Sequence, residues 1–396
     1  MKVELLDLTR NYRKIAKEVQ EAVTEVLAKC SYIMGENVKQ LEQEFSDYLG
    51  VKHSIAVGNG TDALILALCA LEIGPGDEVI TTPYTFFATP EAIARVGAVP
   101  VFVDIRLDTF NIDESKIEEK ITAKTKAIMP VHIFGHPCDM DKINAIAKKH
   151  NLYVIEDAAQ AIGARYQDRM AGNLSDIATF SFHPTKNLGA AGDAGMIVTN
   201  SDYLDHYCRA LRVHGSGEHG EAVYNQKHNI TEVGIDETNA DHTRYNPAKY
   251  HNYVVGFNSR LDEIQAAVLR IKLRHLNNYN NRHRQIATYY NESFQNTDLI
   301  TPLQLEGCYH IYHQYLLRSD KREQLMNALS EKGVSTAIYY PLAMHLQKAF
   351  DYLGNQEGDC PNAELLSRTT FALPLYAELT DEEMTYVAKA VIDSLV

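Results

Sequence analysis

Short apolar segments alternate with stretches of helical periodicity through the first two hundred residues of the chain. The apolar segments are rich in β-branched residues and are short enough to be buried strands rather than helices. Strands are predicted at residues 54–57, 78–81, 99–104, 127–132, 152–156, 179–182 and 195–199. Helices are predicted between them at 62–71, 89–96, 139–150 and 202–212. Because strands and helices alternate regularly, the pattern predicts an α/β fold with a mostly parallel, seven-stranded sheet between helices.

The pattern changes beyond residue 215. Residues 215–250 are polar, rich in His, Asn, Glu and Gly, and show no convincing period, which is typical of a surface insertion. A long helix is predicted from Ser259, because apolar residues recur there every three or four positions behind an acidic first turn. We therefore expect a large domain over 1–255 and a smaller α+β domain over 256–396 that begins with this linking helix.

Composition and charge restrict the possible functions. The chain has 396 residues, of which 45% are apolar, and this suits two globular domains. The formal net charge of −14 argues against nucleic acid as a partner. The N-terminus lacks the apolar core of a signal peptide, and the most apolar run, residues 63–71, is too short to span a bilayer. Six cysteines without a C-x-x-C pair indicate reduced thiols, so a cytoplasmic protein without a membrane segment or a metal site is expected.

Three segments carry residues that suit one phosphorylated cofactor, although the first two alone also fit ordinary turns or helix caps. The segment 58–62, GNGTD, follows a predicted strand and opens a helix, where free N–H groups bind anions. Asp157 ends a buried strand, at the edge where α/β proteins place ligand sites. Lys186 follows another strand, and partial burial would make its amine a usable nucleophile. Pyridoxal phosphate has a matching phosphate, pyridine nitrogen and aldehyde, and it is the predicted cofactor.

Eight motifs make the chain resemble the DegT/DnrJ/EryC1/StrS sugar aminotransferases, fold-type I pyridoxal-phosphate enzymes that aminate nucleotide-linked keto-sugars. The resemblance runs over nearly the whole chain and implies the fold-type I architecture. The motifs are GNGTDAL (58–64), PGDEVITTPYTFFAT (75–89), VIEDAAQAIGA (154–164), SFHPTKNLGAAGDAG (181–195), GFNSRLDEIQAA (256–267), YHQYLLR (312–318), YYPLAMH (339–345) and LPLYAELTDEE (373–383).

The resemblance implies a role for each residue around the cofactor ring. Lys186 forms the Schiff base with the cofactor aldehyde and later moves a proton. Asp157 pairs with the pyridine nitrogen and keeps it protonated. Gln160 lies near the ring hydroxyl, Ala159 packs beneath the ring, and Phe86 occupies the aromatic stacking position.

The resemblance also implies how the phosphate and the substrates are bound. Gly60, Thr61 and Asp62 bind the phosphate through the backbone, and Ser181 binds it through its hydroxyl. Asn258 reaches this phosphate from the other subunit, which implies a homodimer with a shared active site. Substrate contacts are expected from Tyr32, His183, His313 and Tyr340.

Two features depart from the family pattern. Position 183 is commonly Tyr or Phe in the KNLGA-x-GD subgroup, and here it is His183, for which a substrate-facing role and a structural role are both open. Relatives run almost directly from an Arg-x-x-Gly to a Lys-Tyr, whereas more than thirty residues separate 212–215 from 249–250 in this chain. The histidines of this segment lack metal-ligand spacing, which favours a rim insertion over a metal site; they are His219, His228 and His242.

The resemblance favours amination of a nucleotide-linked 3-keto hexose, such as a dTDP-3-keto-6-deoxyhexose, with L-glutamate as amino donor. Amination at C4 and a UDP-linked 3-keto substrate are the alternatives. A pyridoxal-dependent sugar dehydratase would carry histidine in place of Lys186. A regulator that had lost its chemistry would lack Lys186, Asp157 or Ser181, and all three are present.

Overall fold

A seven-stranded sheet forms the centre of the computed structural model, which describes residues 1–230 and 250–395. The strand order is β1-β9-β8-β5-β4-β2-β3. Strand β9 is antiparallel to both of its neighbours, and all other strand pairs are parallel. The strands are β1 (His53–Val57), β2 (Glu78–Thr81), β3 (Val99–Phe102), β4 (Thr125–Met129), β5 (Tyr153–Asp157), β8 (Ile177–Ser181) and β9 (Gly195–Thr199). The predicted α/β fold with a mostly parallel sheet is therefore confirmed.

Helices cover both faces of this sheet. One apolar cluster joins Phe45 to Phe180 and Leu269, and a second joins Leu66 to Val79 and Ile197. The helices of this half of the chain are α1 (Leu8–Lys29), α2 (Glu36–Leu49), α3 (Gly60–Ala70), α4 (Ala88–Arg95), α5 (Met140–His150) and α6 (Asp202–Leu211). The sequence pattern identified α3 to α6 but assigned no helix to α1 or α2.

The C-terminal part of the chain packs a small sheet against further helices. The single helix predicted from Ser259 is two helices, because the chain turns at Arg274 and His275, where the His275 N–H bonds back to the Lys272 carbonyl. The helices of this part are α8 (Glu263–Leu273), α9 (Leu276–Phe294), α10 (Arg322–Glu331), α11 (Pro361–Thr369) and α12 (Asp381–Ile392), and its small sheet pairs β11 (Tyr315–Arg318) with β12 (Thr370–Leu373). Strand β10 (Cys308–Tyr309) instead pairs with a hairpin from the first half of the chain, β6 (Arg165–Tyr166) and β7 (Arg169–Met170). Side chains of α8 lie in the same apolar cluster as the large sheet.

The polar segment after residue 215 contains a helix, so the expectation of a structureless insertion is wrong for α7 (Gly217–Lys227). Val223 is 1% exposed and joins the apolar cluster of α6. The Lys227 ammonium donates to the Tyr207 hydroxyl at 2.7 Å. Packing against α6 therefore stabilises a helix whose own sequence has little amphipathic pattern. Residues 231–249, which include His242, lie outside the described residues.

Neither a membrane span nor a metal cluster occurs in the described ranges. No helix within 1–230 and 250–395 is both long enough and apolar enough to cross a bilayer. Over the same ranges, no group of three or more His, Cys, Asp or Glu side chains could hold a metal ion. His219 instead pairs with His206 at 2.8 Å between their Nδ1 atoms.

Candidate active site

A cavity of about 750 Å³ opens at the carboxyl ends of the parallel strands. Side chains reach it from the ends of β1, β2, β5 and β8, so positions far apart in sequence meet at one sheet edge. The predicted site residues that line it are Gly60, Thr61, Phe86, Asp157, Ala159, Gln160, Ser181, His183, Lys186, His313 and Tyr340. Asp62, Asn258 and Tyr32 do not line it.

Asp157 ends β5 with its carboxylate buried in a fixed orientation. The Thr89 hydroxyl donates to Oδ2 at 2.8 Å, and the Ala159 N–H donates to Oδ1 at 3.1 Å. Burial raises the pKa of Asp157, and these two hydrogen bonds together with the charge of Lys186 act against that rise. The carboxylate is thus held where a cationic ring nitrogen would be paired.

Lys186 lies in the loop between β8 and β9, where a turn closes with the Lys186 N–H bonded to the His183 carbonyl at 2.8 Å. The loop is tight, because a Cβ on Gly189 would lie 2.3 Å from the Pro184 carbonyl oxygen. Burial lowers the pKa of Lys186 to about 8, although the nearby Asp157 opposes this shift. A substantial fraction of this amine is therefore neutral near pH 8 and able to attack a carbonyl carbon.

The start of α3 and the end of β8 form a cup for an anion. The N–H groups of Gly60 and Thr61 begin the helix without a partner among the described residues, so they are free to bind phosphate. A Cβ on Gly60 would lie 2.7 Å from the Ser181 Cβ, so only glycine lets α3 approach β8 this closely. The Ser181 Oγ accepts the His183 N–H at 3.3 Å, which leaves its own proton for a ligand.

Asp62 supports this cup from outside the cavity. Its N–H donates to the side chain of Asn59 at 2.8 Å, so this N–H already has a partner. Its carboxylate accepts the Ser259 hydroxyl at 2.6 Å, and the Ser259 oxygen accepts the Gly58 N–H at 3.0 Å. The cup is thus tied to the chain segment that carries Asn258.

Asn258 and Tyr32 stand on the surface of this subunit. Asn258 is exposed, and its backbone forms an isolated β-bridge with Val213. The Tyr32 side chain is 45% exposed, and its carbonyl accepts the Glu263 N–H. Neither side chain lines the cavity of its own chain.

Gln160 and Tyr340 form the far wall of the cavity. The Gln160 amide accepts the Phe134 N–H at 2.7 Å and donates to the Tyr340 hydroxyl at 3.0 Å. The Tyr340 ring stacks on Phe134, with 6.3 Å between their centroids and 20° between their planes. Phe86, 6.4 Å from the Tyr340 ring, is 58% exposed and leaves one face open to a planar ligand.

A chain of amide hydrogen bonds fixes the proton of His313. Asn280 donates to the Ile162 carbonyl at 3.0 Å and accepts from the Asn187 amide nitrogen at 2.8 Å. The Asn187 oxygen therefore faces His313 Nδ1 at 2.9 Å, and Nδ1 must carry the proton. Burial and the nearby Lys186 charge hold the pKa of His313 well below its usual range. His313 is thus a neutral imidazole with an unprotonated Nε2 next to Lys186.

His183 is exposed on the cavity wall, with its Nδ1 3.0 Å from the Thr185 hydroxyl. Its N–H contributes to the Ser181 arrangement described above, so it has a structural contact as well as access to a ligand. Both roles left open by the sequence are compatible with this position.

Sequence reasoning missed two groups of cavity residues. The first is Thr89, which donates to Asp157, with Thr85, which hydrogen-bonds to Thr89; both lie within the motif 75–89, where threonines indicate nothing unusual. The N-terminal segment forms a second wall with Leu5, Leu6 and Asn11, opposite Tyr376 and Glu378. Nothing in the local pattern indicates this wall, because it exists only when the two ends of the chain meet.

A half-buried lysine with a lowered pKa, a buried carboxylate at a strand end and an anion cup converge on one cavity and define a pyridoxal-phosphate enzyme of the aminotransferase fold. The family model described as "DegT/DnrJ/EryC1/StrS aminotransferase family" matches residues 13–392. The chain belongs to this family. The fold, the enzyme class and the cofactor expected from the sequence are thereby confirmed, whereas the roles of individual residues stay predictions.

Three curated relatives match almost end to end. A "Pleiotropic regulatory protein" of Geobacillus stearothermophilus is 45% identical over 99% of this chain and 98% of its own. A dTDP-3-amino-3,6-dideoxy-alpha-D-galactopyranose transaminase of Aneurinibacillus thermoaerophilus is 41% identical over 98% of each chain. A UDP-N-acetyl-3-dehydro-alpha-D-glucosamine 3-aminotransferase of Acidithiobacillus ferrooxidans is 40% identical over 98% of this chain and 97% of its own. Their lengths are close to that of this chain, which argues against a net insertion of thirty residues relative to them.

Two solved structures have the same fold. DesV of S. venezuelae, in complex with a ketimine intermediate, superposes with a TM-score of 0.90 and is 36% identical over 99% of this chain and 98% of its own. NtdA of Bacillus subtilis, with bound cofactor PMP, gives a TM-score of 0.85 and is 33% identical over 100% of this chain and 85% of its own.

Proposed function

We propose that this protein transfers an amino group from an amino-acid donor to a nucleotide-linked 3-keto sugar. The observation that carries the proposal is the convergence of Lys186, Asp157 and the anion cup on one cavity. Pyridoxal phosphate, when bound, supplies an aldehyde that carries the amino group and a ring that accepts electrons.

Different residues of this chain have different roles in the proposed reaction. The N–H groups of Gly60 and Thr61 and the Ser181 hydroxyl bind the cofactor phosphate. Asp157 pairs with the ring nitrogen. The Lys186 amine, with its lowered pKa, binds the aldehyde and, once displaced by a donor, moves the proton of the reacting carbon. His313, neutral and oriented, accepts a hydrogen bond at Nε2 from a substrate hydroxyl or ammonium.

The substrate class rests on the relatives. Two of them, at 41% and 40% identity, are named for products or substrates modified at C3, and one carries dTDP while the other carries UDP. We therefore propose that the amino acceptor is a nucleotide-linked 3-keto hexose, with dTDP and UDP as the candidate nucleotides. Amination at C4 is the alternative. L-Glutamate as donor follows from the family resemblance, and the small donor fits the same cavity in the first half of the reaction.

A homodimer with a shared site is part of the proposal. Asn258 is exposed, and Ser259 and Asp62 connect its segment to the cup at Gly58. Phe86 stands exposed at the open side of the cavity. A second copy that covers this side would supply its Asn258 to the phosphate and bury Phe86.

The relative named as a regulatory protein favours a second candidate function, a regulator of the same fold. A regulator does not need a lysine with a lowered pKa next to a buried carboxylate and an intact anion cup. Because this chain retains all of them, catalysis is the better supported function.

The proposal is tested by trapping the lysine. The protein is loaded with pyridoxal phosphate, reduced with borohydride and digested, and the modified peptide is identified by mass spectrometry. Lys272 lines the same cavity but donates to the Gly189 carbonyl at 2.7 Å, which makes it an internal control. Label on Lys186 alone is expected. In a separate measurement on the unreduced protein, the visible absorbance of the bound cofactor should disappear on adding glutamate and return on adding a 3-keto sugar nucleotide. Label on Lys272, or no response to either substrate, would overturn the proposal.

A further inference from the structure

Two buried threonines form a hydrogen-bonded chain that ends on Asp157. Thr85 and Thr89 are each 1% exposed; Thr89 lies in the first turn of α4, and Thr85 lies in the segment that leads into this helix. The Thr89 Oγ1 is 2.8 Å from Asp157 Oδ2, and the Thr85 Oγ1 is 2.9 Å from the Thr89 Oγ1. Both hydroxyls thus direct their hydrogen bonds toward the carboxylate.

The chain has only one possible direction when Asp157 is ionised. A carboxylate can only accept, so Thr89 must donate its proton to Oδ2. The Thr89 oxygen is then an acceptor for the Thr85 proton. Thr89 is the donor to Oδ2 and the Ala159 N–H is the donor to Oδ1, so each carboxylate oxygen has one protein donor and retains a lone pair.

These donors favour the charged form of Asp157 over its neutral form, because a protonated carboxyl would accept hydrogen bonds more weakly. Burial acts in the other direction and raises the pKa of this group. Without the threonine donors, a proton shared with a ring nitrogen would move toward Asp157, and the ring would lose its positive charge and accept electrons less well.

We infer that Thr89, supported by Thr85, is a positioning residue that keeps Asp157 ionised and directs its free lone pairs to the ring nitrogen of the cofactor. This inference rests on the proposed function, since it assumes that pyridoxal phosphate occupies the cavity with its nitrogen at Asp157. Thr89 acts through Asp157, so its effect should be visible in the bound cofactor before any turnover.

The test compares Thr89→Val, which has almost the same shape without the hydroxyl, with Thr89→Ser, which retains it. Thr81→Val is the matched control, because Thr81 is equally buried in β2 but donates to the Met129 carbonyl at 2.9 Å. Each holoenzyme is titrated with pH while the visible absorbance of the bound cofactor is followed, and cofactor affinity is measured separately.

In the pH titration, Thr89→Val is expected to raise the midpoint of the change in visible cofactor absorbance by about one pH unit. The same variant should bind the cofactor about tenfold more weakly. Thr89→Ser and Thr81→Val should match the wild type, and Thr85→Val should shift the midpoint by less in the same direction. An unshifted midpoint in both Thr89→Val and Thr85→Val would overturn this inference alone. A wild-type protein that shows no visible band with pyridoxal phosphate and no borohydride-stable label on Lys186 would overturn the proposed function, and this inference with it.

Discussion

The guanidinium of Arg10 forms two parallel hydrogen bonds of 2.6 Å to the carboxylate of Glu383, which joins the first helix to the last. Neither Arg10 nor Glu383 lines the cavity, but two other neighbours of Arg10 do: its guanidinium is 3.2 Å from the Asp7 carboxylate and lies over the ring of Tyr376 at 5.8 Å. The neighbouring Asn11 donates to Glu378 at 2.9 Å. This ion pair therefore fixes the N-terminal wall of the active site.

Replacing Arg10 by Ala should raise KM for the sugar nucleotide about tenfold, because charge-assisted hydrogen bonds that hold the wall are lost. Cofactor affinity should not change, since the anion cup and Asp157 are not attached to this wall. Steady-state kinetics and a cofactor titration separate the two effects. Arg270→Ala is the control: it breaks a similar pair with Glu44 at 2.7 Å that touches no cavity residue. An unchanged KM would contradict the role of Arg10.

Acid should loosen the same wall. Hydrogen bonds from Arg10 lower the pKa of Glu383 to about 2, from an ordinary value of 4.5. A carboxylate with a depressed pKa stabilises the folded state above pH 4.5, and this contribution disappears as pH falls toward 2. The stability difference between wild type and Glu383→Gln should therefore be largest above pH 4.5 and vanish near pH 2, as measured by urea unfolding. A difference independent of pH over this range would exclude the ion pair as its cause.

Removing the lysine amine should stabilise the empty protein. Burial lowers the pKa of Lys186 to about 8 from 10.5, so below pH 8 the folded state holds a charge that it disfavours. The difference corresponds to at most about 3 kcal/mol. Lys186→Met without cofactor should unfold at higher urea than wild type at pH 7, and the gap should shrink as pH rises from 8 to 10.5. A stability difference that widened as pH rises would contradict the lowered pKa of Lys186. The variant should also form no borohydride-stable adduct with the cofactor.

Two adjacent carboxylates should respond differently to the loss of charge. Asp157→Asn should lower transamination at least about a hundredfold with an intact fold, because the ring nitrogen loses its charged partner. Glu156→Gln should instead cost about 2 kcal/mol of stability, since a donor NH₂ would face backbone N–H groups such as that of Gly172. Single-turnover kinetics and urea unfolding of both variants check this. A folded Asp157→Asn enzyme with near wild-type rates would refute the pairing.

A shared site can be tested by mixing inactive subunits. In a mixed dimer of Lys186→Ala and Asn258→Ala, one of the two sites combines an intact Lys186 with an intact Asn258. Activity should therefore recover on mixing although each variant alone binds cofactor poorly or is inactive. Light scattering should give twice the subunit mass of 44.5 kDa. A fully active monomer, or no recovery on mixing, would rule out the shared site.

The strands of the large sheet could be predicted because each contains a short run rich in apolar residues, most of which are buried. Lys186 and Asp157 could be found because the ends of such strands meet at one edge, and the family resemblance then assigned them a chemistry. Helix α7 could not be found, since Val223 alone among its large side chains is fully buried and its stability comes from α6. The local sequence pattern of a helix does not indicate packing contacts that it makes with another helix.

Thr89 and Arg10 were missed for a related reason. Thr89 meets Asp157 across 68 positions of sequence, and Arg10 meets Glu383 across 373. Threonine in a helical first turn and arginine on an amphipathic helix are both ordinary, so their types indicate nothing unusual. Their roles come from their contacts with Asp157 and Glu383, and these contacts form only when the chain is folded.

Glu156 and Asp157 also make cofactor binding sensitive to how β5 is aligned. Successive residues of a strand point to opposite faces, so Glu156 meets the buried amides of Gly172 and Leu174 while Asp157 meets the cavity. If β5 formed one position out of register, either Glu156 would lie at the ring with Ile155 among the amides, or Asp157 would lie among the amides with Ala158 at the ring. In both cases one of the two sets of donors would lose its carboxylate. A cell that supplies the cofactor during folding would thus selectively stabilise molecules with the correct strand alignment.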